Sequence, residues 1–193
     1  SDCEIILHMF KKFGIKRTTQ ELDGVFMFVI CDISNNRLYS ARDPFGVRPG
    51  FIGYDKEEVY ICSEVKSLTS FCNKIIPFKP GAWWSSENNT FTTFYSLKIK
   101  DNNNSINSIY DNVNDLLKEA VVKRLMSDRK IGCLLSGGLD SSLIASLVAR
   151  EYNDSKIETF SIGMPGSIDL KYAGDVAKYI GSNHHNVEIS EQD

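Results

Sequence analysis

The sequence predicts two fold classes in succession: an α+β half, then an α/β half built on a parallel sheet. The first hundred residues alternate short apolar segments with turn signals, the pattern of antiparallel hairpins. The last third alternates apolar strands with amphipathic helices, which predicts parallel strands joined by crossovers. Between the halves, residues 101–105 are consecutively polar and indicate a linker. We therefore expect two domains, residues 1–100 and residues 101–193.

The first half is predicted to open with a helix. Ser1 and Glu4 have the spacing of a capping box, and apolar residues then recur at helical spacing up to Gly14. Hairpin strands are expected at residues 25–31, 37–41, 51–54 and 59–62, a short helix at 63–71, and a strand-rich segment at 75–100.

The second half is predicted to begin with a long amphipathic helix. Its apolar positions run from Ile109 to Leu125, and Lys123 and Arg124 lie near its end, where cations suit the helix dipole. Strands are expected at residues 131–135, 157–162 and 186–189, with one helix around residues 143–148 and a second from an N-cap at Asp169 to a C-cap at Gly181.

Composition excludes several classes of protein. With 193 residues, 42% of them hydrophobic, and a net charge of −3, the chain can bury a core and is not disordered. The sequence has no long basic run, so nucleic acid is not expected as a partner. It has no apolar stretch long enough to span a membrane, so no membrane partner is expected either. Five scattered cysteines without C-x-x-C spacing, and an acidic rather than basic start, favour a reduced, cytoplasmic protein.

The chemistry is concentrated in the loop that follows the strand at residues 131–135. Two adjacent glycines let a ligand approach the backbone, and N–H groups at a helix start bind phosphate oxygens. A carboxylate among phosphates requires a cation, so Asp140 predicts Mg²⁺. A plain turn that caps the next helix is the structural alternative. The residues of this loop are Ser136, Gly137, Gly138, Leu139, Asp140, Ser141 and Ser142.

This loop resembles the pyrophosphate loop of the ATP pyrophosphatase superfamily, whose members cleave ATP to AMP and pyrophosphate. The Walker A and dinucleotide patterns are both absent. Three further stretches narrow the resemblance: residues 41–49, residues 125–128, and residues 159–164 followed by Asp169 and Leu170. Together, and in this order, they are similar to the glutamine-hydrolysing asparagine synthetase family over essentially the whole chain.

The resemblance implies that residues 1–100 are the later part of a type-2 glutamine amidotransferase domain, a sandwich of the N-terminal-nucleophile fold. It implies that residues 101–193 begin an ATP-binding synthetase domain of the adenine nucleotide α-hydrolase type. The implied activity is the synthesis of asparagine from aspartate, ATP and glutamine through aspartyl-AMP, with release of AMP and pyrophosphate. ATP and Mg²⁺ are the implied cofactors. A homodimer is one assembly that the resemblance allows.

Individual residues take roles from the same resemblance. Asp2 matches the aspartate that holds the α-amino group of glutamine, and the loop at residues 136–142 matches the ATP and pyrophosphate site, with Asp140 on the metal. Leu135 and Ile162 match positions whose backbone contacts adenine, although core packing explains such apolar residues equally well. A turn beginning at Arg42 and Asp43 is expected to hold an Arg–Asp pair in the domain core.

The sequence also departs from the family. Its first residue is not the cysteine nucleophile, and the later loop with the catalytic lysine and its acidic partner is absent, so we expect an internal segment without catalytic residues of its own. Ser1 and Cys3 are poor substitutes for the nucleophile. Gly50 and Ile168 are local departures that affect geometry only.

Two other functions stay open. One is a β-lactam synthetase or another adenylating relative with a different acceptor, and the other is a degenerate copy that binds nucleotide without turnover. Paired His184 and His185 suggest a metal site, but adjacent residues of a strand face opposite sides, which favours structural roles for both.

Overall fold

The computed structural model describes residues 3–99, 105–152 and 156–190. The chain divides into two compact units, residues 1–100 and residues 101–193. Among the described residues, the first unit has a buried apolar cluster around Ile52 and Trp84, and the second has two, one around Leu135 and one around Val148.

The first unit is antiparallel throughout its described strands, as the hairpin pattern predicts. Its strands form a four-stranded sheet in the order β1-β2-β6-β7 and a three-stranded sheet in the order β4-β3-β5. Ile52, Phe78 and Trp84 lie between the two sheets and form the core. The elements are α1 (Glu4–Glu21), β1 (Met27–Asp32), β2 (Arg37–Arg42), β3 (Phe51–Asp55), β4 (Glu58–Cys62), a 3₁₀ turn (Val65–Ser67), β5 (Lys74–Pro77), β6 (Ala82–Ser85) and β7 (Thr90–Thr93).

Helix α1 continues past the glycine where the sequence predicts its end. Gly14 has φ 72° and ψ 172°, so it kinks the helix instead of ending it. Thr18 and Thr19 are buried beyond the kink, and their hydroxyls donate to the carbonyls of Gly14 at 2.8 Å and Ile15 at 3.1 Å. Burial of the part of α1 that follows Gly14 therefore outweighs the tendency of this glycine to end the helix. The predicted cap at Ser1 lies outside the described residues.

The turn after β2 is held by its own backbone, and this corrects the expected Arg–Asp pair. The Arg42 guanidinium donates to three backbone carbonyls, and the buried Asp43 carboxylate accepts from three backbone N–H groups. Each charge is therefore satisfied by peptide groups of the fold, not by the other side chain. The carbonyls belong to Arg48 (2.6 Å), Gly46 (2.7 Å) and Phe78 (2.8 Å), and the N–H groups to Val47 (3.0 Å), Arg48 (3.0 Å) and Phe45 (3.1 Å).

These bonds make the first unit acid-sensitive at one carboxylate. Burial alone raises the pKa of Asp43, but the backbone N–H groups around it outweigh burial, so this pKa lies below its ordinary value. Because the folded-state pKa is depressed, ionised Asp43 stabilises the fold above the unfolded pKa of about 4. That stability is lost as the pH falls through the folded-state pKa.

We expect Asp43→Asn to lower the free energy of unfolding by about 1–3 kcal/mol at pH 7 and by less near pH 3. Urea unfolding followed by tryptophan fluorescence measures this, because Trp83 and Trp84, the only tryptophans in the sequence, both lie in the first unit. Glu57→Gln, at an exposed turn, is the matched control and should change nothing. An equal loss at both pH values would show that the charge of Asp43 is not what stabilises the turn.

The second unit contains the predicted parallel sheet. Its strands lie in the order β10-β9-β8, and both pairings are parallel. Each strand is followed or preceded by a helix, which is the crossover arrangement that the alternating pattern predicts. The elements are α2 (Ile106–Arg124), β8 (Gly132–Leu134), α3 (Leu139–Glu151), β9 (Glu158–Gly163), α4 (Ile168–Ile180) and β10 (Asn183–Glu188).

Helix ends in this unit follow capping chemistry, with one correction. The Ser105 side chain accepts from the Ser108 N–H at 3.3 Å and caps α2. Ser167 occupies the N-cap position of α4 without a side-chain capping bond, so Asp169 lies in the first turn rather than at the predicted N-cap. Gly181 ends α4 in the left-handed conformation at φ 71°, as predicted. The remaining residues of the predicted linker, 101–104, lie outside the described residues.

Small side chains bring α3 and α4 close to the sheet. Ala145 of α3 and Ala173 and Ala177 of α4 are buried against Leu135, which follows β8. Helix α3 starts after β8 and α4 starts after β9, so both helices begin at the carboxyl edge of the sheet. In open α/β sheets this edge is where ligands bind. Within the described residues, no helix has the length and apolarity to cross a membrane.

Candidate functional site

The loop at residues 136–142 lies at this carboxyl edge, between β8 and α3. Gly138 is the N-cap of α3, and the first helical bond runs from the Ser142 N–H to the Gly138 carbonyl at 3.0 Å. The N–H groups of residues 139–141 precede that bond and have no partner within the helix. Together with the positive end of the helix dipole, they favour an anion.

Two serines of the loop fix its shape. The hydroxyls of Ser136 and Ser141 are 2.9 Å apart, and Ser141 Oγ also donates to the Gly138 carbonyl at 3.2 Å. The backbone N–H of Ser136 donates to Ser141 Oγ at 3.3 Å, which closes the loop on itself. These contacts fix the position of the loop at the start of α3.

Gly137 lies where no other residue fits. Its φ of 79° is in the left-handed region, which favours glycine. A Cβ at this position would lie 2.6 Å from both the backbone nitrogen of Ala173 and the Cβ of Tyr172, in α4. The loop therefore rests directly on the backbone of α4, and the glycine is required by this close approach.

The remaining loop side chains differ in their exposure. Leu139 and Asp140 are exposed, and Asp140 lies in the first turn of α3. Ser142 Oγ is buried and finds no hydrogen-bond partner among the described residues. A buried hydroxyl without a partner costs stability, and this one lies next to the start of α3.

Leu135 and Ile162 lie at the same edge on adjacent strands. The pairing of β8 with β9 ends where Leu134 faces Phe160, with one further bond from the Leu135 N–H to the Phe160 carbonyl at 2.8 Å. Ile162 is two residues beyond that point, so its peptide groups face the space past the end of β8. The Leu135 side chain is buried, whereas that of Ile162 is 65% exposed.

The structure thus brings together the nine predicted nucleotide-site residues. Leu135, the loop at 136–142 and Ile162 share the carboxyl edge of one sheet. Asp2, the predicted glutamine-binding residue, lies outside the described residues. Their roles as ligands stay predictions.

Sequence reasoning missed the polar side chains behind this edge. Thr159 and Ser161 are buried on the helix-covered side of β9, and both hydrogen-bond the ring of His184. His185 faces the opposite side and lies 2.5 Å from Glu158 Oε2, so the two histidines do diverge. Alternating hydroxyl residues on an apolar strand, opposite a histidine on the next one, are the signal that could have revealed this network.

Two family models match the chain in the order of its two units. One, described as a glutamine amidotransferase domain, matches residues 1–70, and the other, described as asparagine synthase, matches residues 112–193. The order of these matches fits an arrangement in which a glutamine amidotransferase domain precedes an asparagine synthase domain.

Curated relatives named "Asparagine synthetase [glutamine-hydrolyzing]" align with the whole of this chain. They include proteins from Zea mays (36% identical, 34% of that protein covered), Asparagus officinalis (39% and 34%) and Rattus norvegicus (37% and 40%). Over its whole length, the chain is similar to glutamine-hydrolysing asparagine synthetases. It spans roughly a third of the length of the relatives it matches.

Proposed function

We propose that the protein of which this chain forms part makes asparagine from aspartate, ATP and glutamine, and that the second unit binds ATP. One observation carries the proposal for ATP. The loop at residues 136–142 combines a Cβ-free cradle at Gly137 with the first turn of α3 and the partnerless hydroxyl of Ser142. This combination suits a chain of phosphate groups at the carboxyl edge of a parallel sheet.

Each loop residue has a chemical role in this proposal. The N–H groups of residues 139–141 donate to phosphate oxygens, and Ser142 Oγ donates to another. The adenine ring lies past the end of β8, where the peptide groups of Leu135 and Ile162 present a donor and an acceptor to its edge. Ser136 and Ser141 fix the shape of the loop through the contact between their hydroxyls.

Asp140 fits a magnesium ion that arrives with the nucleotide. Its carboxylate is exposed at the start of α3, on the same turn as the phosphate-binding N–H groups. Mg²⁺ commonly takes one protein carboxylate, with substrate phosphates and water as its other ligands. When bound, the ion neutralises charge on the pyrophosphate leaving group.

The proposed reaction has two steps. The aspartate side-chain carboxylate attacks the α-phosphorus of ATP, which gives aspartyl-AMP and releases pyrophosphate. Ammonia then attacks the acyl carbon and releases AMP, which gives asparagine. The loop binds the phosphates in the first step, and the glutaminase domain supplies ammonia from glutamine for the second.

The first unit supports the glutaminase role through its family match and its antiparallel sheets. We propose that these sheets are the later part of a sandwich of the N-terminal-nucleophile fold and that Asp2 holds the α-amino group of glutamine. A carboxylate is the natural partner of an ammonium group.

The test uses the intact protein that contains this chain. With ATP, aspartate and glutamine, we expect equal amounts of asparagine, AMP and pyrophosphate, measured by chromatography. AMP and pyrophosphate formed only with another carboxylate acceptor would indicate an adenylating relative such as a β-lactam synthetase. Binding of ATP without formation of AMP would indicate a copy that has lost turnover.

A further inference from the structure

A continuous polar network joins β9 to β10 beneath α4. Thr159 Oγ1 lies 2.8 Å from Ser182 Oγ and 2.9 Å from His184 Nδ1. On the other side of the ring, His184 Nε2 lies 3.1 Å from Ser161 Oγ, which donates to Asn186 Oδ1 at 2.6 Å. Thr159 and Ser161 are buried, whereas Ser182 and His184 are half-buried and Asn186 is exposed.

The bonds on the two sides of the ring assign a role to each ring nitrogen. Asn186 Oδ1 can only accept, so the Ser161 hydroxyl gives its proton there and accepts from His184 Nε2–H. His184 Nδ1 then accepts from the Thr159 hydroxyl, and the nearby Ser182 hydroxyl donates to the Ala177 carbonyl at 3.3 Å. The imidazole of His184, on β10, therefore hydrogen-bonds two hydroxyls of β9, those of Thr159 and Ser161.

One end of this bridge is next to the proposed adenine site. The peptide that follows Ser161 carries the N–H of Ile162, which faces past the end of β8. From the β10 side, the Ile189 N–H donates to the Gly163 carbonyl at 3.0 Å and holds the same strand end. The hydrogen bonds of the Ser161 side chain to His184 and Asn186 further restrict the position of the peptide that joins Ser161 to Ile162.

We propose that His184 is a positioning residue for ATP: through Ser161 it holds the Ile162 peptide where the adenine edge is bound. The inference rests on the proposed ATP site and extends it to a residue on a different strand. The proposed effect of His184 is on the binding of adenine and not of the phosphates, because the phosphate loop at residues 136–142 is positioned by its own serines and by α4.

The experiment compares two ligands by calorimetry on the intact protein that contains this chain: MgATP, and magnesium tripolyphosphate, which lacks the nucleoside. We expect His184→Ala to weaken MgATP binding by about 10-fold, the value of one lost hydrogen bond, and to leave tripolyphosphate binding unchanged. His184→Gln should restore MgATP binding, because the Gln amide can donate to Ser161 as Nε2 does. His185→Ala is the control, since His185 faces the opposite side of the sheet, and should change neither affinity.

Five results would contradict the inference. Equal weakening of both ligands by His184→Ala would indicate a general structural role, and unchanged MgATP binding would exclude any role. A selective loss that His184→Gln does not restore would assign the effect to ring volume, not to the hydrogen bond. If the wild-type chain binds tripolyphosphate as tightly as ATP, the adenine site is wrong but the phosphate loop stands, whereas binding of neither ligand overturns the proposed function as well.

Discussion

Gly137→Val is expected to weaken MgATP binding by the second unit by at least about 100-fold. The reason is geometric: a Cβ would lie 2.6 Å from backbone and side-chain atoms of α4, and a β-branched residue at φ 79° is strained by about 1–3 kcal/mol. Either the loop or α4 must move, and both movements misplace the N–H groups at the start of α3. Calorimetric titration of the chain with MgATP measures the loss.

The matched control is Gly174→Val, the same substitution in α4 at a position where a Cβ would meet nothing within 4 Å. It should leave binding and circular dichroism unchanged. Gly137→Ala is the milder variant, with the same sign and a smaller loss, and it keeps the test informative if the valine variant unfolds. Unchanged MgATP affinity in a folded Gly137→Val chain would remove this loop from the nucleotide site.

Asp140→Asn is expected to abolish most of the gain in ATP affinity that Mg²⁺ provides, on the order of 100-fold, which is comparable to the loss of one preorganised electrostatic contact. The amide keeps the size of the side chain but loses the charge that a cation needs. Titrations with ATP alone and with MgATP separate the two contributions. In the intact protein, pyrophosphate formation should fall similarly while glutamine hydrolysis is spared.

Asp169→Asn is the control for this charge, because Asp169 is the acid in the first turn of α4 as Asp140 is in that of α3. It should leave the effect of Mg²⁺ intact. If Asp140→Asn weakened ATP binding equally with and without Mg²⁺, the carboxylate would be stabilising the helix start and not a metal ion.

Local patterns in the sequence were sufficient to predict the parallel sheet and its loop. Periodicity marks a strand or helix wherever burial on one face is regular, and Gly137, Gly138 and Asp140 sit together in seven residues. The start of α4 was misplaced by two residues because Ser167 and Asp169 are both good capping residues.

Features that depend on distant parts of the chain were not predictable in this way. The need for glycine at 137 comes from the backbone of α4, some 35 residues later in the sequence. Arg42 and Asp43 are adjacent opposite charges, which suggests a pair, yet the turn supplies each with peptide partners instead. The burial of Thr18, which stabilises α1 beyond the kink at Gly14, likewise depends on tertiary packing.

Hydrogen exchange of the backbone amides with and without MgATP tests the central claim most directly, because it reports on each peptide group of the site at once. We predict slower exchange at residues 136–142 and at Ile162 when MgATP is added, with the first unit unchanged. Protection confined to other residues, or no protection of the loop at MgATP concentrations that saturate binding, would contradict the assignment of this edge of the sheet to ATP.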